Sequence, residues 1–275
     1  MLFKKTAVIG HPVDHSLSPT IHNYWIKNLR MNVADYKKID VQPEGFNDEI
    51  NNLVDQGYYG LNVTVPLKEL AYKIADQLSD VSKATKAVNT LVFKNGIIFG
   101  TNTDPVGFES SLAKNIIENK IKNKKCLVLG AGGSARAIIY ALNKMSGKIS
   151  VYNRTVEKVI ALKKEMKINI EVLDGAETNK RLEEFSFIVN TTSLGLPSGP
   201  QNDLVDFKNA TKSCFVYDLI YKPKETGFMK QAKANDLTAQ NGLNMLVGQA
   251  AASFYIWHGV NPKVSADLIQ TLATD

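Results

Sequence analysis

Only two cysteines and four histidines occur in 275 residues, and no long apolar run opens the chain. Cys126 and Cys214 each fall inside an apolar stretch, "CLVLG" and "CFVYDLI", so they read as buried strand residues. A disulfide or metal framework is excluded, since neither spacing nor number fits one. The start, "MLFKKTAVIG", holds only about four apolar residues in succession, too few for a signal peptide or a membrane span. A cytoplasmic protein with no membrane segment is expected. Charge is also unconcentrated: Lys and Arg total 33 against 27 Asp and Glu, and the net +6 is spread in ones and twos, with "KIKNKK" the densest cluster. The lack of a basic stripe interleaved with aromatics argues against a nucleic-acid partner. A mildly basic surface suits anionic small molecules better. Internal repeats and low-complexity segments are absent as well.

What is present is ordinary for a globular enzyme: 44% hydrophobic and 22% charged residues, enough for a substantial core. At roughly 100–200 residues per domain, this length predicts two domains. Apolar runs alternate with helical patterns. "TAVIG", "ADYKKIDV" and "YYGLNVTVP" read as strands, and "SPTIHNYWIKNL" and "PEGFNDEINNLV" as the helices between them. That rhythm predicts parallel sheet with crossover helices. "AVNTLVFKNGIIFGTNTD" breaks it with two extended runs meeting at Asn95-Gly96, a hairpin signal. A helix-like linker, "PVGFESSLAKNIIENK", leads into a second alternating series with more uniformly apolar strands, as expected when helices cover both faces. Two helices, "LNMLVGQAAASFYIWHG" and "VSADLIQTLA", end the chain.

"CLVLGAGGSARA" runs from a strand into a helix with Gly130, Gly132 and Ala135 at Gly-x-Gly-x-x-Ala spacing. The first glycine permits the tight turn, the second lets backbone approach a pyrophosphate, and the alanine allows close helix–strand packing. The helix N-terminus adds free N–H groups for the phosphates. Dinucleotide binding follows. About twenty residues on, an NAD site would place a carboxylate for the ribose hydroxyl. Here the chain reads "VYNRTVEK". Asn153, Arg154, Thr155 and Lys158 suit a dianionic 2′-phosphate, so NADP is expected over NAD. Thr155 is also placed to cap the next helix.

In "GLNVTVPLKE", Asn62 and Thr64 are two apart in an extended run and so share a face. Polar groups there need partners, which a hydroxylated ligand could supply. Lys68 follows Pro66 in the first turn of a helix, and "FGTNTDPVG" places Asn102, Thr103 and Asp104 where another strand ends. Strand ends are where open α/β sheets bind ligands. Alone, Lys68 reads as a surface lysine on a helix; Asp104 and the cofactor turn make it a site candidate.

"GHPVDHSLSPTIHNYW" holds three of the four histidines, His11, His15 and His22. Neither cysteine nor a carboxylate cluster accompanies them, so they are read as scaffold and no metal is expected. Ser16 lacks a nucleophile turn around it. Two residues apart, Ser16 and Ser18 would direct both hydroxyls at one anionic group in an extended segment, with Ser18 capping a helix that starts at Pro19. Trp25, Phe254, Tyr255 and Trp257 are expected in core or interdomain packing.

The ordered set "SLSP", "NVTVPLK", "AVNT", "TNTDPVG", "GAGGSARA", "NRT" and "GQAAASF" resembles the shikimate dehydrogenase family over nearly the whole chain. The resemblance implies an α/β protein of two domains with a cleft between them. A discontinuous substrate-binding α/β domain would comprise residues 1–104 plus 243–275, and a Rossmann-type doubly wound NADP-binding domain residues 105–242. It implies an oxidoreductase acting on a CH–OH group, reducing 3-dehydroshikimate with NADPH on the way to chorismate and aromatic amino acids. Lys68 and Asp104 would be the catalytic pair. Ser16, Ser18, Asn62, Thr64, Asn89, Tyr221 and Gln249 would line the substrate site. Gly130, Ala131, Gly132, Gly133, Ser134, Asn153, Arg154, Thr155 and Lys158 would hold NADP, with Leu219 and Gly242 near the nicotinamide. Leu219 stands where family members often carry Met, a volume-conserving change. Shikimate or 3-dehydroshikimate would be the small-molecule partner, and the apolar C-terminal helices are a candidate homodimer surface. Two rivals remain: a quinate/shikimate dehydrogenase of dual substrate or cofactor use, and a non-catalytic NADP- or shikimate-binding sensor.

Overall fold

Alternating strand and helix patterns build two sheets, each within its own part of the chain. The computed structural model describes residues 4–195 and 205–274. It divides into one unit of Met1–Gly107 and Val247–Asp275 and a second of Phe108–Leu246.

The first unit opens with β1 (Lys5–Gly10), α1 (Ser18–Asn28), β2 (Lys37–Asp40), α2 (Phe46–Asp55), β3 (Tyr58–Val63) and α3 (Lys68–Ile74). It continues with β4 (Gln77–Leu78), α4 (Asp80–Thr85), β5 (Thr90–Lys94), β6 (Ile97–Thr101) and the start of α5 (Asp104–Ser111), whose last residues belong to the second unit. The strands lie in the order β2-β1-β3-β5-β6-β4. β1 is parallel to β2 and β3, as the alternation predicts, whereas β5 runs antiparallel to β3 and β6. Asn95 and Gly96 both have positive φ, 53° and 73°, as a two-residue hairpin turn requires. This hairpin sets Asn62 of β3 directly across from Thr90 of β5. Alternate residues of these strands, including Ala7, Ile9, Leu61, Val63 and Leu91, feed an apolar core against α2 and α3.

The second unit holds α6 (Lys114–Ile116), β7 (Lys125–Leu129), α7 (Gly133–Lys144), β8 (Lys148–Tyr152), α8 (Val156–Met166) and β9 (Ile170–Leu173). After them come α9 (Gly175–Lys180), β10 (Phe187–Asn190), β11 (Phe215–Asp218), α10 (Gly227–Ala234) and β12 (Thr238–Asn241). Its six strands are all parallel in the order β12-β11-β10-β7-β8-β9. Strand order therefore reverses between β7 and β10, the doubly wound arrangement. Residues of one strand alternate between two cores: Cys126 and Val128 enter one, Leu127 and Leu129 the other. Both sheet faces are covered, which is why these strands read as continuous apolar runs.

α11 (Leu243–His258) and α12 (Ala266–Thr274) end the chain. Trp25, Phe254 and Trp257 are buried as expected, with Trp25 and Phe254 edge to face at 5.5 Å. Tyr255 is not: it is 51% exposed, because the residue after Phe254 is turned about 100° around the helix toward water.

Candidate active site

Lys68 is the first residue of α3, placed there because Pro66 ends the extended run and favours a turn. Its carbonyl accepts the N–H of Val88 at 3.0 Å, tying the helix start to the segment before β5. Asp104 opens α5, its N–H bonded to Asn102 Oδ1 at 3.1 Å. The two side chains meet: Lys68 Nζ donates to Asp104 Oδ2 at 2.5 Å, with both groups buried. A buried ammonium is costly unless it is paired and bonded, so this lysine is not an ordinary surface residue.

The other carboxylate oxygen, Asp104 Oδ1, accepts from Asn89 Nδ2 at 2.8 Å. Asn89 Nδ2 also lies 3.3 Å from Gln249 Oε1, and Asn89 Oδ1 takes the N–H of Thr103 at 2.8 Å. Gln249, which its sequence leaves as a helix-surface amide, is buried on α11. The structure thus brings together Lys68, Asn89, Asp104 and Gln249 from four separated segments.

Asn62 is already engaged within the protein. Its Oδ1 accepts from Tyr36 Oη at 2.8 Å, and its Nδ2 faces Ser253 Oγ at 2.9 Å, Thr90 Oγ1 at 3.2 Å and the Asn89 carbonyl at 3.2 Å. Protein groups give this buried amide partners at both its oxygen and its nitrogen. Thr64 lies one residue beyond β3 and is half-buried.

The serine cap is also corrected. Ser18 is itself the first residue of α1, and Ser16 Oγ accepts its N–H at 3.3 Å. Leu17 between them is helical, with φ −87° and ψ 0°, so the segment turns and the extended-chain argument for aligned hydroxyls does not hold. Ser16 keeps its own hydroxyl hydrogen to donate. The three histidines do not gather: His11 Nδ1 is 2.8 Å from Asp40 Oδ2, His15 is exposed, and His22 is buried flat against Tyr36 at 4.1 Å. Burial, then the neighbouring His258, push the His22 pKa down to about 3. Among the described residues no group of three or more His, Cys, Asp or Glu could hold a metal. Cys126 and Cys214 are free and buried, and burial pushes both thiols up to about 12.

In the second unit, Gly130 follows β7 with φ +115°, and a Cβ there would come within 2.5 Å of Thr191 Oγ1 just past β10. The turn thus sits at the reversal of strand order. Gly132 caps α7 in extended conformation, and nothing lies within 4 Å of where its Cβ would be. Ala131 is buried beside it, Gly133 and Ser134 begin α7, and Ala135 packs in the core. Past β8, Asn153 Nδ2 donates to the Thr155 carbonyl at 2.9 Å, and Arg154, Thr155 and Lys158 are exposed. Thr155 holds the cap position of α8, but its side chain makes no capping bond. Leu219 and Tyr221, both half-buried, follow β11. A Cβ on Gly242 would meet the Leu219 carbonyl oxygen at 2.1 Å, so only glycine fits that approach. Asp218, at the end of β11, accepts from Asn190 Nδ2 at 3.0 Å, the Ile220 N–H at 3.1 Å and Thr226 Oγ1 at 2.5 Å. Burial outweighs these bonds and pushes its pKa up to about 6.

Thr90, Ser253 and Tyr36 surround this polar group without having been signalled as site residues. The available signal was slight: Ser253 lies four residues after Gln249, on the same helix face.

A doubly wound sheet with a glycine turn at its switch point, joined in one chain to a mixed sheet carrying a buried Lys–Asp pair, defines a two-unit α/β protein of the dinucleotide-binding class. Three family models match in order: Shikimate dehydrogenase substrate binding domain at residues 8–91, Shikimate / quinate 5-dehydrogenase at 111–227, and Shikimate 5'-dehydrogenase C-terminal domain at 242–267. Shikimate dehydrogenase (NADP(+)) of Pelagibacter ubique (strain HTCC1062) is 41% identical over 271 residues, covering 98% of this chain and 99% of that relative. The crystal structure of shikimate dehydrogenase from Aquifex aeolicus matches with TM-score 0.88 and 36% identity over 100% of both chains. That of shikimate 5-dehydrogenase from Thermus thermophilus, in complex with NADP(H) and shikimate, matches with TM-score 0.84 and 32% identity over 98% of each. The chain belongs to the shikimate dehydrogenase family. Among the described residues no helix is long and apolar enough to cross a membrane.

Proposed function

We propose that the protein catalyses the reversible NADPH-dependent reduction of 3-dehydroshikimate to shikimate, in the pathway to chorismate and the aromatic amino acids. The observation that carries this reading is the buried ion pair of Lys68 and Asp104. The cofactor supplies a hydride to the ketone carbon. The ketone oxygen then needs positive charge and a proton, and the Lys68 ammonium offers both. Asp104 fixes the ammonium in place, which suits the reductive direction, since a paired ammonium is a poor base for the reverse step. Asn89 and Gln249, bonded to each other beside this pair, would hold substrate hydroxyls. Ser16, Ser18, Thr64 and Tyr221 complete the proposed substrate contacts, with Ser16 donating to the carboxylate.

The residues present fit NADP. Gly130 gives the turn, the open approach at Gly132 admits a pyrophosphate at the α7 N-terminus, and Ala131, Gly133 and Ser134 line the same turn. Exposed Arg154 and Lys158, with Asn153 and Thr155, offer charge and hydrogen bonds to a 2′-phosphate, and residues 153–155 hold no carboxylate to repel it. Leu219 and Gly242 would lie near the nicotinamide. An NADPH-consuming biosynthetic step and two unpaired thiols favour the cytoplasm as its place of action.

The test is the absorbance of reduced nicotinamide on mixing the protein with NADP and shikimate, run beside quinate and NAD. Reduction of NADP that depends on shikimate is expected. Equal turnover of quinate with NAD would show a dual-use enzyme, the alternative that the Shikimate / quinate 5-dehydrogenase match keeps open. No reduction by well-folded protein would show a non-catalytic binder.

A further inference from the structure

We propose that Tyr36, Asn62, Ser253 and Thr90 form a one-directional hydrogen-bond chain that positions Asn89 and, through it, the Asp104–Lys68 pair; this rests on the reading of that pair as the reacting group. The series converges on Asn89. Its Oδ1 accepts the Thr103 N–H and the Thr90 hydroxyl, each at 2.8 Å, so the amide has one orientation and its Nδ2 must face Asp104. The single hydrogen of Thr90 is therefore committed to Asn89.

In the 2.9 Å contact between Thr90 Oγ1 and Ser253 Oγ, Thr90 has no hydrogen left to give, so Ser253 is the donor. Its one hydrogen also has the Gln249 carbonyl at 3.1 Å and Thr103 Oγ1 at 3.2 Å within reach, and the Thr90 contact is the shortest of the three. Ser253 Oγ in turn accepts from Asn62 Nδ2 at 2.9 Å. The Asn62 amide is oriented by Tyr36 Oη, which donates to its Oδ1 at 2.8 Å. Each donor in the series points the same way, from Tyr36 toward the Asp104 carboxylate. Aligned bonds of this kind polarise one another, and the effect is largest where water is excluded. Every member is buried, from Tyr36 through Asn62, Ser253, Thr90 and Asn89 to Asp104. Burial also raises the Tyr36 pKa well above its ordinary value, which keeps the phenol a neutral donor.

Strand pairing explains how the series assembles. Asn62 and Thr90 are direct cross-strand partners, and Ser253 reaches both from α11. Thr90 and Ser253 bond protein groups on each side, so they are positioning residues. Asn62 belongs with them rather than with the substrate contacts.

Thr90→Val removes the hydroxyl and keeps the shape. It should lower kcat by ~10–100-fold, the usual loss when a supporting hydrogen bond behind a reacting group is removed. KM for shikimate and for NADP should stay within ~2-fold, and Thr90→Ser should restore most of the turnover. Tyr36→Phe should give a smaller loss, and the double variant Tyr36→Phe/Thr90→Val should be no slower than Thr90→Val alone, because both changes act through one chain. Turnover of Thr90→Val within ~2-fold of the parent, with Lys68→Ala inactive, overturns the proposal. So does a Thr90→Ser variant as slow as Thr90→Val, which would assign the loss to packing, or a double variant whose losses multiply. Retained turnover in Lys68→Ala would instead sink the ion-pair reading on which the proposal rests. Should Thr90→Val not fold, Thr90→Ala removes the same hydroxyl and carries the same expectations, with Thr90→Ser again the variant that restores turnover.

Discussion

Lys68 Nζ lies 2.5 Å from Asp104 Oδ2, and the two side chains are only 10% and 6% exposed. Lys68→Ala should lose at least ~100-fold in turnover with little change in the KM for shikimate, the signature of a group used in the transition state. It should also cost ~3–5 kcal/mol of stability, because Asp104 is left buried with its charge uncompensated. Steady-state kinetics with a urea melt checks both. Near-normal turnover would reject the assignment.

Ser16 Oγ accepts the N–H of Ser18 and has its own hydrogen to give. Ser16→Ala should raise the KM for shikimate by ~10-fold, the loss of one hydrogen bond to a charged group, and leave the KM for NADP nearly unchanged. An equal rise in both constants would count against the carboxylate contact.

Arg154 is exposed just beyond β8, with Lys158 one helical turn on. Arg154→Asp should raise the KM for NADP by ~100-fold or more while the KM for NAD falls, since a carboxylate repels the 2′-phosphate and suits the hydroxyl. Cofactor titrations at fixed shikimate measure it. Unchanged preference would place the phosphate elsewhere.

His22 and Asp218 give the two units opposite responses to acid. The folded-state pKa of His22 is lowered from 6.5 to about 3, so its contribution is full above 6.5 and is lost as pH falls toward 3. That of Asp218 is raised from 3.8 to about 6, so its contribution is full below 3.8 and is lost as pH rises through 6. Between pH 7 and pH 4, hydrogen exchange corrected for intrinsic rates should show falling protection around α1 and rising protection around β11. His22→Phe should flatten the first trend and Asp218→Asn the second. Trends of the opposite sign would refute the assignment.

Gly242 faces the Leu219 carbonyl so closely that any Cβ would overlap backbone. Gly242→Ala should cost ~1–3 kcal/mol, the range for overpacking, and should raise the KM for NADP more than that for shikimate. A thermal melt and the two KM values decide it.

Much of this was legible in the chain because local rules and tertiary packing agree there. "CLVLGAGGSARA" specified strand, turn and helix together, and Asn95-Gly96 specified the hairpin, since positive φ at both positions leaves few residues that fit. Lys68 and Asp104 stood out by type and position, but only the fold could show that they touch. Other features failed for identifiable reasons. The short β4 and α4 carry no periodic signal of their own. Ser18 looked like a cap because serine before proline usually is one, yet the chain turns one residue earlier. For Asn62 the rule that polar residues in a strand need partners held, but sequence could not reveal that Tyr36 and Ser253 supply partners from 26 and 191 residues away.

Gln249 and Ser253 complete the polar group around Asn89, and Phe254 and Trp257 complete the ring packing around His22 and Trp25. All four lie on α11, which follows the whole of the second sheet in the chain. On the ribosome, therefore, the strands of the second unit have all been made before the first can finish its core. Translation order thus makes every strand of the doubly wound sheet before α11, and the Lys–Asp pair gains its last neighbours only as α11 emerges.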